Sequence, residues 1–207
     1  MVRHGESRAN NDGVFAGHFN AELTELGLKQ AEKTAEYIKE NYKITKAYAS
    51  DLKRAFVTGK TIADLIGIEI IPNENLREIR AGEWEGRKFT DLMTEYKKDY
   101  DVWLNDIGNS RCTGGESVKE LGKRVLDELK KIANENPDET ILIATHATPI
   151  RVLQSMILKS LDEMKNIPWV NNTSVTELIF DRNLWKFEKI GYDAHLEGMR
   201  AVFPANV

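Results

Sequence analysis

The sequence predicts an α/β fold, a doubly wound three-layer α/β/α arrangement in which a mostly parallel sheet carries helices on both faces. Strand-like and helix-like segments alternate along the chain, with no linker, repeat or low-complexity tract between them. Residues 140–144 are continuously apolar after the first position, which is typical of a strand covered on both faces. In such sheets, ligands bind beyond the carboxyl ends of the strands. Functional side chains are therefore expected at that edge.

The N-terminal part is predicted to contain two βα units behind a very short first strand. Only Met1 and Val2 precede Arg3, so either the numbering omits a leading segment or the first strand is cut short. Residues 11–23 are expected to form a loop. The elements that follow are a helix capped by Thr24 and extending to about Tyr42, a strand at 47–49, a helix ending at Gly67, and a strand at 68–71 closed by Pro72.

The remaining chain is predicted to add a helical flap, two helices and a hairpin. Aromatic residues at amphipathic spacing indicate a flap within residues 88–112 that covers the site. Ser117 and Glu120 form a capping box for a helix to about Asn136. The later predicted elements are a strand at 140–144, a helix from Thr148 and Pro149, and hairpin strands at 175–180 and 184–190. We assign residues 1–207 to a single catalytic domain.

Composition narrows the class of protein. The 207 residues carry 29 basic and 33 acidic side chains, and a net charge of −4 offers no global attraction for nucleic acid. The lone cysteine, Cys112, excludes an intramolecular disulfide and fits a reducing compartment. No run of 18 apolar residues and no signal-peptide core are present. We expect a soluble cytoplasmic protein without a membrane partner, and its oligomeric state stays open.

Ionisable residues follow several predicted strands and should share one edge of the sheet. They are Arg3 and His4 after the first strand, Arg54 after the second, Glu78 after the third and His146 after the most apolar one. Guanidinium groups bind phosphate as rigid forks, and an imidazole can attack phosphorus. A carboxyl group can protonate a leaving oxygen and then take a proton from water. The set fits phosphoryl transfer without a metal or an organic cofactor.

The same residues lie in motifs that resemble those of the histidine phosphatase superfamily, also called the phosphoglycerate mutase-like superfamily. The matching segments are Arg-His-Gly-Glu-Ser at 3–7 with Asn10, Leu-Thr-x-x-Gly-x-x-Gln-Ala at 23–31, Ser-x-Leu-x-Arg-Ala at 50–55, Leu-x-Glu-Ile to Gly-x-Trp-Glu-Gly at 76–86, Gly-Gly-Glu-Ser at 114–117, and Thr-His at 145–146. They follow the order of the family over about residues 2–155.

The resemblance assigns roles to individual side chains. It implies that His4 is the phosphorylated nucleophile, that Glu78 is the proton donor, and that Arg3, Arg54 and His146 clamp the phosphate. Asn10 would add a hydrogen bond to the phosphoryl group. Further candidates for contacting the substrate are Ser7, Gly17, His18 and Ala147.

Three positions depart from the family pattern, and they bear on specificity more than on chemistry. Ala147 and Thr148 follow the second histidine, where the family often has glycine. Ala16 replaces a glutamine or similar group before Gly17. Arg80 and Ala81 replace an acidic-aromatic pair before Gly82.

Three functions compete on these residues. A metal-independent phosphomonoesterase acting through phosphohistidine on a small phosphorylated metabolite is favoured. A cofactor-dependent phosphoglycerate mutase is the first alternative, but Ala81 and Phe89 stand where mutases carry tyrosine and lysine, and no Arg-Arg pair follows. A retired fold that only binds phosphorylated ligands is the second alternative, although His4 and Glu78 are both retained.

Several other residues have ordinary structural interpretations. His195 is expected at the surface, Cys112 is a bystander because Val118 stands where a cysteine phosphatase needs arginine, and Trp84 and Trp103 are packing residues. Arg151 either fixes the helix after His146 or faces outward. The basic cluster either forms a solvated patch or attracts a multiply charged substrate; its members are Arg77, Arg80, Arg87 and Lys88.

Overall fold

A six-stranded sheet forms the centre of the protein, for which the computed structural model describes residues 1–201. Its strands are β1 (Val2–Arg3), β2 (Lys46–Ala49), β3 (Ile70–Pro72), β4 (Ile141–Thr145), β5 (Val175–Asp181) and β6 (Leu184–Tyr192). Their spatial order is β3-β2-β4-β1-β5-β6. The first four in this order are parallel, whereas β5 and β6 are antiparallel. The predicted mostly parallel sheet is confirmed.

Helices cover both faces of this sheet. They are α1 (Arg8–Asn11), α2 (Glu25–Asn41), α3 (Lys53–Ile66), α4 (Phe89–Glu95), α5 (Lys97–Asn105), α6 (Val118–Glu135) and α7 (Ala147–Leu158). Successive strand side chains point to opposite faces. Leu142 of β4 accordingly packs with α2 and α3, whereas its neighbour Ile143 packs with α6 and α7. The three-layer α/β/α arrangement follows from this alternation.

The flap consists of two short helices, α4 and α5, which meet at Tyr96. The backbone of Tyr96 (φ −121°, ψ 30°) leaves the helical region and breaks what the sequence presents as one amphipathic segment. Tyr100 and Trp103 of α5 are buried, and both rings contact Trp84 edge to face, with centroids 5.5 and 6.0 Å apart. The flap is therefore held by the aromatic core. The prediction of Trp84 and Trp103 as packing residues is confirmed.

Several predicted boundaries agree with the structure, and most strand boundaries differ by one or two residues. Gly67 ends α3 in the left-handed conformation (φ 76°), and Ser117 and Glu120 form the capping box of α6. The third strand is Ile70–Pro72 and not 68–71. Pro72 can belong to it because β3 lies at the sheet edge, where a missing N–H costs little. The short helix α1 was not predicted, because four residues are too few to show a period.

The prediction that His195 lies at the surface is wrong. Its ring is buried and makes stacked contacts with Tyr37 and Tyr192, at centroid distances of 4.7 and 5.7 Å. Nε2 also shares a 2.9 Å hydrogen bond with the hydroxyl of Thr34 in α2. The segment around His195 has no periodic apolar pattern from which this packing could be predicted. Two members of the basic cluster form salt bridges, Arg77 with Asp51 and Arg87 with Glu95.

No helix within residues 1–201 has the length and apolar character needed to cross a membrane.

Candidate active site

Three neighbouring strand ends bring His4, His146 and Ser50 together. The backbone N–H of His4 donates to the carbonyl of Thr145, and the N–H of Ser50 donates to the carbonyl of Ala144, each at 2.9 Å. The parallel register therefore places the residues that follow β1, β4 and β2 at one edge. The two imidazole rings lie 5.1 Å apart, centroid to centroid, in an edge-to-face arrangement.

The hydrogen bonds of His4 define its tautomer. Nδ1 lies 2.7 Å from the carbonyl oxygen of Gly5, which can only accept, so Nδ1 carries the proton. Nε2 is then unprotonated, and its lone pair accepts a 3.3 Å hydrogen bond from Nε of Arg54. Burial, followed by the charges of Arg54 and Arg3, lowers the pKa of His4 well below its ordinary value. The ring is therefore neutral, and its nucleophilic nitrogen lies against a guanidinium group.

Arg3 and Arg54 supply the positive charge of the site. Burial lowers the pKa of each guanidinium to about 10, which still leaves both charged at neutral pH. Nη1 of Arg3 donates to the carbonyl of Val170 at 2.5 Å. The two terminal nitrogens of Arg54 donate to the carbonyls of Phe19 and Gly17 at 3.0 and 2.8 Å. These bonds fix both cations in place around His4.

Glu78 lies across the site with its carboxylate held by backbone amides. Oε1 accepts a hydrogen bond from the N–H of Ile79 at 2.8 Å, and Oε2 accepts one from the N–H of Thr148 at 3.3 Å. The backbone carbonyl of Glu78 contacts Nε2 of His18 at 2.9 Å and accepts from Nη2 of Arg124 at 3.2 Å. His18 therefore supports the backbone of the acid.

His146 has one ring nitrogen satisfied and one without a partner. Nε2 shares a 2.8 Å hydrogen bond with the hydroxyl of Ser50, whereas buried Nδ1 has no hydrogen-bond partner within residues 1–201. Burial, then the charge of Arg54, lowers the pKa of His146 well below its ordinary value. Buried polar atoms are normally hydrogen-bonded, so a lone ring nitrogen beside His4 is consistent with a ligand atom that completes it.

Ser7 and Asn10 form a capping box at the start of α1. The amide oxygen of Asn10 accepts from the backbone N–H and the hydroxyl of Ser7, each at 3.1 Å. It also accepts from Nδ2 of Asn172 at 3.3 Å, and this same nitrogen donates to the carbonyl of His4 at 2.9 Å. These bonds direct the amide nitrogen of Asn10 away from the cap. Asn172 was not identified from the sequence, because it lies outside the recognised motifs.

These side chains surround a cavity of about 140 Å³. Seven of the predicted site residues line it: Arg3, His4, Asn10, Gly17, Arg54, Glu78 and Ala147. His146 lies next to His4 behind the lining, and Ser7 and His18 hold neighbouring backbone. A larger cavity of about 480 Å³ lies around Tyr42 and Trp185, away from these groups.

Within the described chain, no group of three or more His, Cys, Asp or Glu side chains is arranged to hold a metal ion. Positive charge in the cavity comes from the two arginines. Helix α7 begins at the site, and its Arg151 is buried, with Nε donating to the carbonyl of Ile167 at 2.7 Å. Arg151 thus fixes the helix that follows His146, which answers the question that the sequence left open.

Comparisons with known proteins identify the family of the chain. Residues 1–193 match the profile of the histidine phosphatase superfamily (branch 1). Phosphoglycerate mutase-like protein 4 of Arabidopsis thaliana is 31% identical over 200 residues, which cover 95% of this chain and 86% of that protein. Putative phosphoserine phosphatase 2 of Hydrogenobacter thermophilus is 30% identical over 179 residues, which cover 86% of this chain and 87% of that protein. The solved structure of Bacillus stearothermophilus YhfR superposes with a TM-score of 0.90 at 26% sequence identity. The superposition covers 95% of this chain and 97% of that one. The chain belongs to the histidine phosphatase superfamily.

Proposed function

We propose that this protein hydrolyses the phosphomonoester of a small phosphorylated metabolite, by transferring the phosphoryl group first to Nε2 of His4 and then to water. The neutral tautomer of His4 carries this proposal, because its unprotonated Nε2 lies among two buried guanidinium groups. Family membership supports phosphatase chemistry independently of that geometry.

In the first step, Nε2 of His4 attacks phosphorus in line with the ester oxygen. A P–N bond forms and the P–O bond to the leaving group breaks, while the carboxyl group of Glu78 gives its proton to the departing oxygen. Arg3 and Arg54 neutralise charge on the equatorial phosphoryl oxygens. His146 and Asn10 would donate hydrogen bonds to these oxygens, His146 through the ring nitrogen that otherwise has no partner.

In the second step, water replaces the alcohol. The carboxylate of Glu78 takes a proton from the water, whose oxygen attacks phosphorus as the P–N bond breaks. Inorganic phosphate leaves, and His4 returns to its neutral form with Nδ1 still donating to Gly5. The arginines supply the charge stabilisation in both steps, so we expect phosphate release to be unchanged by EDTA; loss of turnover with EDTA would contradict a metal-independent mechanism.

The covalent intermediate is the most direct test. We expect rapid-quench labelling with a radioactive phosphomonoester to give a protein-bound phosphate that is stable in base and labile in acid. His4→Ala should abolish both the label and turnover, because no other group in the cavity can replace Nε2. Trp185→Leu is the control, since it alters a partly buried side chain outside this cavity. A label that survives in His4→Ala would contradict the proposed nucleophile.

Glu78→Gln tests the proton donor. Glutamine keeps the size of the side chain but cannot give a proton to the leaving oxygen, so we expect kcat/KM for alkyl phosphates to fall about 10²–10⁴-fold. The loss should be much smaller for p-nitrophenyl phosphate, whose leaving group needs no proton. Equal losses for both substrates would show that Glu78 acts only in positioning.

A mutase reaction is the alternative suggested by the name of the Arabidopsis relative. In that case the phosphohistidine would return its phosphoryl group to a second substrate oxygen. Incubation with 3-phosphoglycerate and a priming bisphosphate separates the two reactions, because hydrolysis releases inorganic phosphate and mutase activity forms 2-phosphoglycerate. We expect release of phosphate in excess. A module that only binds phosphorylated ligands would give neither product.

The proposal also covers the cellular compartment of the protein and the class of molecule that it binds. The buried lone thiol of Cys112 fits a reducing compartment, and we therefore propose the cytoplasm. A net charge of −4 supports a small phosphorylated substrate and not nucleic acid as the partner.

A further inference from the structure

An aromatic wall closes the part of the cavity that the phosphoryl group does not need. Phe15, Phe89, Tyr100, Trp103 and Trp169 all line it. Phe15 contacts Phe89 and Trp103 edge to face, with centroids 5.9 and 5.2 Å apart, and Trp103 stacks on Trp169 at 6.5 Å. The wall draws on the loop after α1, on both flap helices and on the segment after α7. It is one continuous apolar surface assembled from four parts of the chain.

The charged groups in the cavity are already assigned to the phosphoryl group. Within residues 1–201, four side chains that line the cavity are charged or can exchange a proton in the reaction: Arg3, His4, Arg54 and Glu78. A carboxylate on the leaving group would therefore be buried against the aromatic wall, where burial disfavours a charge, and would find no additional cation among the lining side chains. Negative charge on the leaving group is disfavoured here.

The neighbouring arginines are committed elsewhere. Arg77 pairs with Asp51, with Nε 2.6 Å from Oδ1, and Arg124 pairs with Glu116 at 2.9 Å. Arg151 stacks on Trp169, with its guanidinium carbon 4.1 Å from the ring centroid, but does not itself line the cavity. The indole ring of Trp169 therefore faces the cavity, whereas the guanidinium of Arg151 behind it is used by hydrogen bonds to backbone carbonyls.

From this wall, we infer that the substrate is a phosphomonoester of a small, uncharged, apolar or aromatic alcohol, and not an amino-acid or carboxylate phosphate. The inference rests on the proposed function and adds its substrate class. At about 140 Å³, the cavity is well below the roughly 300–1,000 Å³ of ordinary ligand sites, which favours a small substrate. Burial raises the pKa of Tyr100 to about 12, and its neutral hydroxyl, unbonded within the described chain, can donate to a single polar substituent.

The test compares three alkyl phosphates whose phosphoryl chemistry is similar. We expect kcat/KM for 2-phenylethyl phosphate to exceed that for ethyl phosphate by about tenfold or more, because a phenyl ring buries apolar surface against the wall. O-phosphoserine should fall below ethyl phosphate. Hydrolysis of phosphoserine at least as fast as that of 2-phenylethyl phosphate would overturn the inference while leaving the phosphatase function intact.

Binding of non-hydrolysable analogues gives a readout that is independent of turnover. Calorimetry should show that 3-phenylpropylphosphonate binds at least about tenfold more tightly than 2-amino-4-phosphonobutanoate, the phosphonate counterpart of phosphoserine. The reverse order would overturn the substrate class even in a catalytically inactive preparation. Tight binding of the phenyl compound without any phosphate release would instead contradict the proposed hydrolysis.

A pair of tryptophan variants links the preference to the wall. Trp169→Leu should reduce the ratio of kcat/KM for 2-phenylethyl phosphate over ethyl phosphate by about fivefold, since it removes the ring but keeps an apolar residue. Trp185→Leu makes the same change at a partly buried tryptophan on β6, outside this cavity, and should leave the ratio unchanged. An unchanged ratio in Trp169→Leu, or equal losses in both variants, would overturn the assignment of the wall.

Discussion

At the scale of single residues, His4, the proposed nucleophile, is held as much by its backbone as by its ring. Asn172 is buried, and its Nδ2 donates to the carbonyl of His4 at 2.9 Å and to the amide oxygen of Asn10 at 3.3 Å. The next residue, Thr173, has a positive φ of 53°, which is strained for a β-branched residue, and its N–H donates to the carbonyls of Arg3 and His4. The strain is compensated by these hydrogen bonds, which orient the catalytic loop, the segment 4–7 between β1 and α1.

Asn172→Ala should therefore reduce kcat/KM about tenfold, because positioning partners of a catalytic group typically have effects of this size. We also expect it to cost about 1–2 kcal/mol of unfolding free energy through the lost buried hydrogen bonds. Asn171→Ala is the matched control, since Nδ2 of Asn171 donates to Asp193 and not to the catalytic loop. Steady-state kinetics and urea unfolding on both variants provide the measurement, and equal kinetic losses would contradict a positioning role for Asn172.

The sequence indicated the groups that line the cavity better than the groups that support them. The convergence of His4, Glu78 and the two arginines could be predicted because each follows a strand and lies within a motif. Asn172 could not, since its role depends on a contact across 168 residues of chain and no local pattern records it. His195 was misassigned for the same reason, because its aromatic neighbours come from α2 and β6.

At the scale of elements, close packing of the first turn of α2 against the catalytic loop explains the glycines in two motifs. A Cβ on Gly27 would lie 2.0 Å from the carbonyl oxygen of Glu6, and a Cβ on Gly5 would lie 2.4 Å from the carbonyl oxygen of Gly27. Both contacts are with backbone, which cannot move aside without displacing His4. The glycine within Leu-Thr-x-x-Gly thus sets the distance between helix and nucleophile.

Gly27→Ala should consequently lower both stability and activity. We expect about 1–3 kcal/mol of lost unfolding free energy from overpacking, and a fall in kcat/KM that persists in the fully folded fraction. Gly67→Ala is the control, because its Cβ would meet no atom within 4 Å but would occupy a left-handed conformation (φ 76°). It should lose about 1–2 kcal/mol while keeping kcat/KM. Full activity in folded Gly27→Ala would show that the close approach does not position His4.

The flap shows why element boundaries are harder to predict than element types. Aromatic spacing correctly indicated a helical segment over the site, yet the break at Tyr96 depends on how α4 and α5 each pack against the core. Leu92 of α4 is fully buried, as is Tyr100 of α5, and a single straight helix would need to hold both positions against the same surface. Tertiary packing determines the bend, and a local period does not contain that information.

At the scale of the whole molecule, the order of the strands was not predictable although the fold class was. β1 pairs with β4 and β2 pairs with β4, so the central strand of the site is the fourth in sequence. The two histidines become neighbours only through this order, across 142 residues of chain. The apolar run at 141–144 indicated a doubly covered strand, and that position in the centre is what places His146 beside His4.

Burying neutral histidines also makes the stability of the molecule depend on pH. Burial, as the largest cause, lowers the pKa of His4, His146 and His195 below that of an unfolded histidine, about 6.5. Below that pH the unfolded chain takes up protons that the folded protein does not, so unfolding becomes more favourable as the pH falls. The stability is fully present above about pH 6.5 and decreases toward the folded pKa values.

We expect urea unfolding between pH 6.5 and 5 to show a decrease in unfolding free energy that approaches about 1.4 kcal/mol per pH unit for each such histidine. His195→Gln should reduce this slope, because it removes one of the three groups. His4→Gln should reduce the slope and abolish turnover. An unfolding free energy that is the same at pH 7 and pH 5 in the wild-type protein would contradict neutral burial of these rings, and with it the neutral nucleophile on which phosphoryl transfer depends.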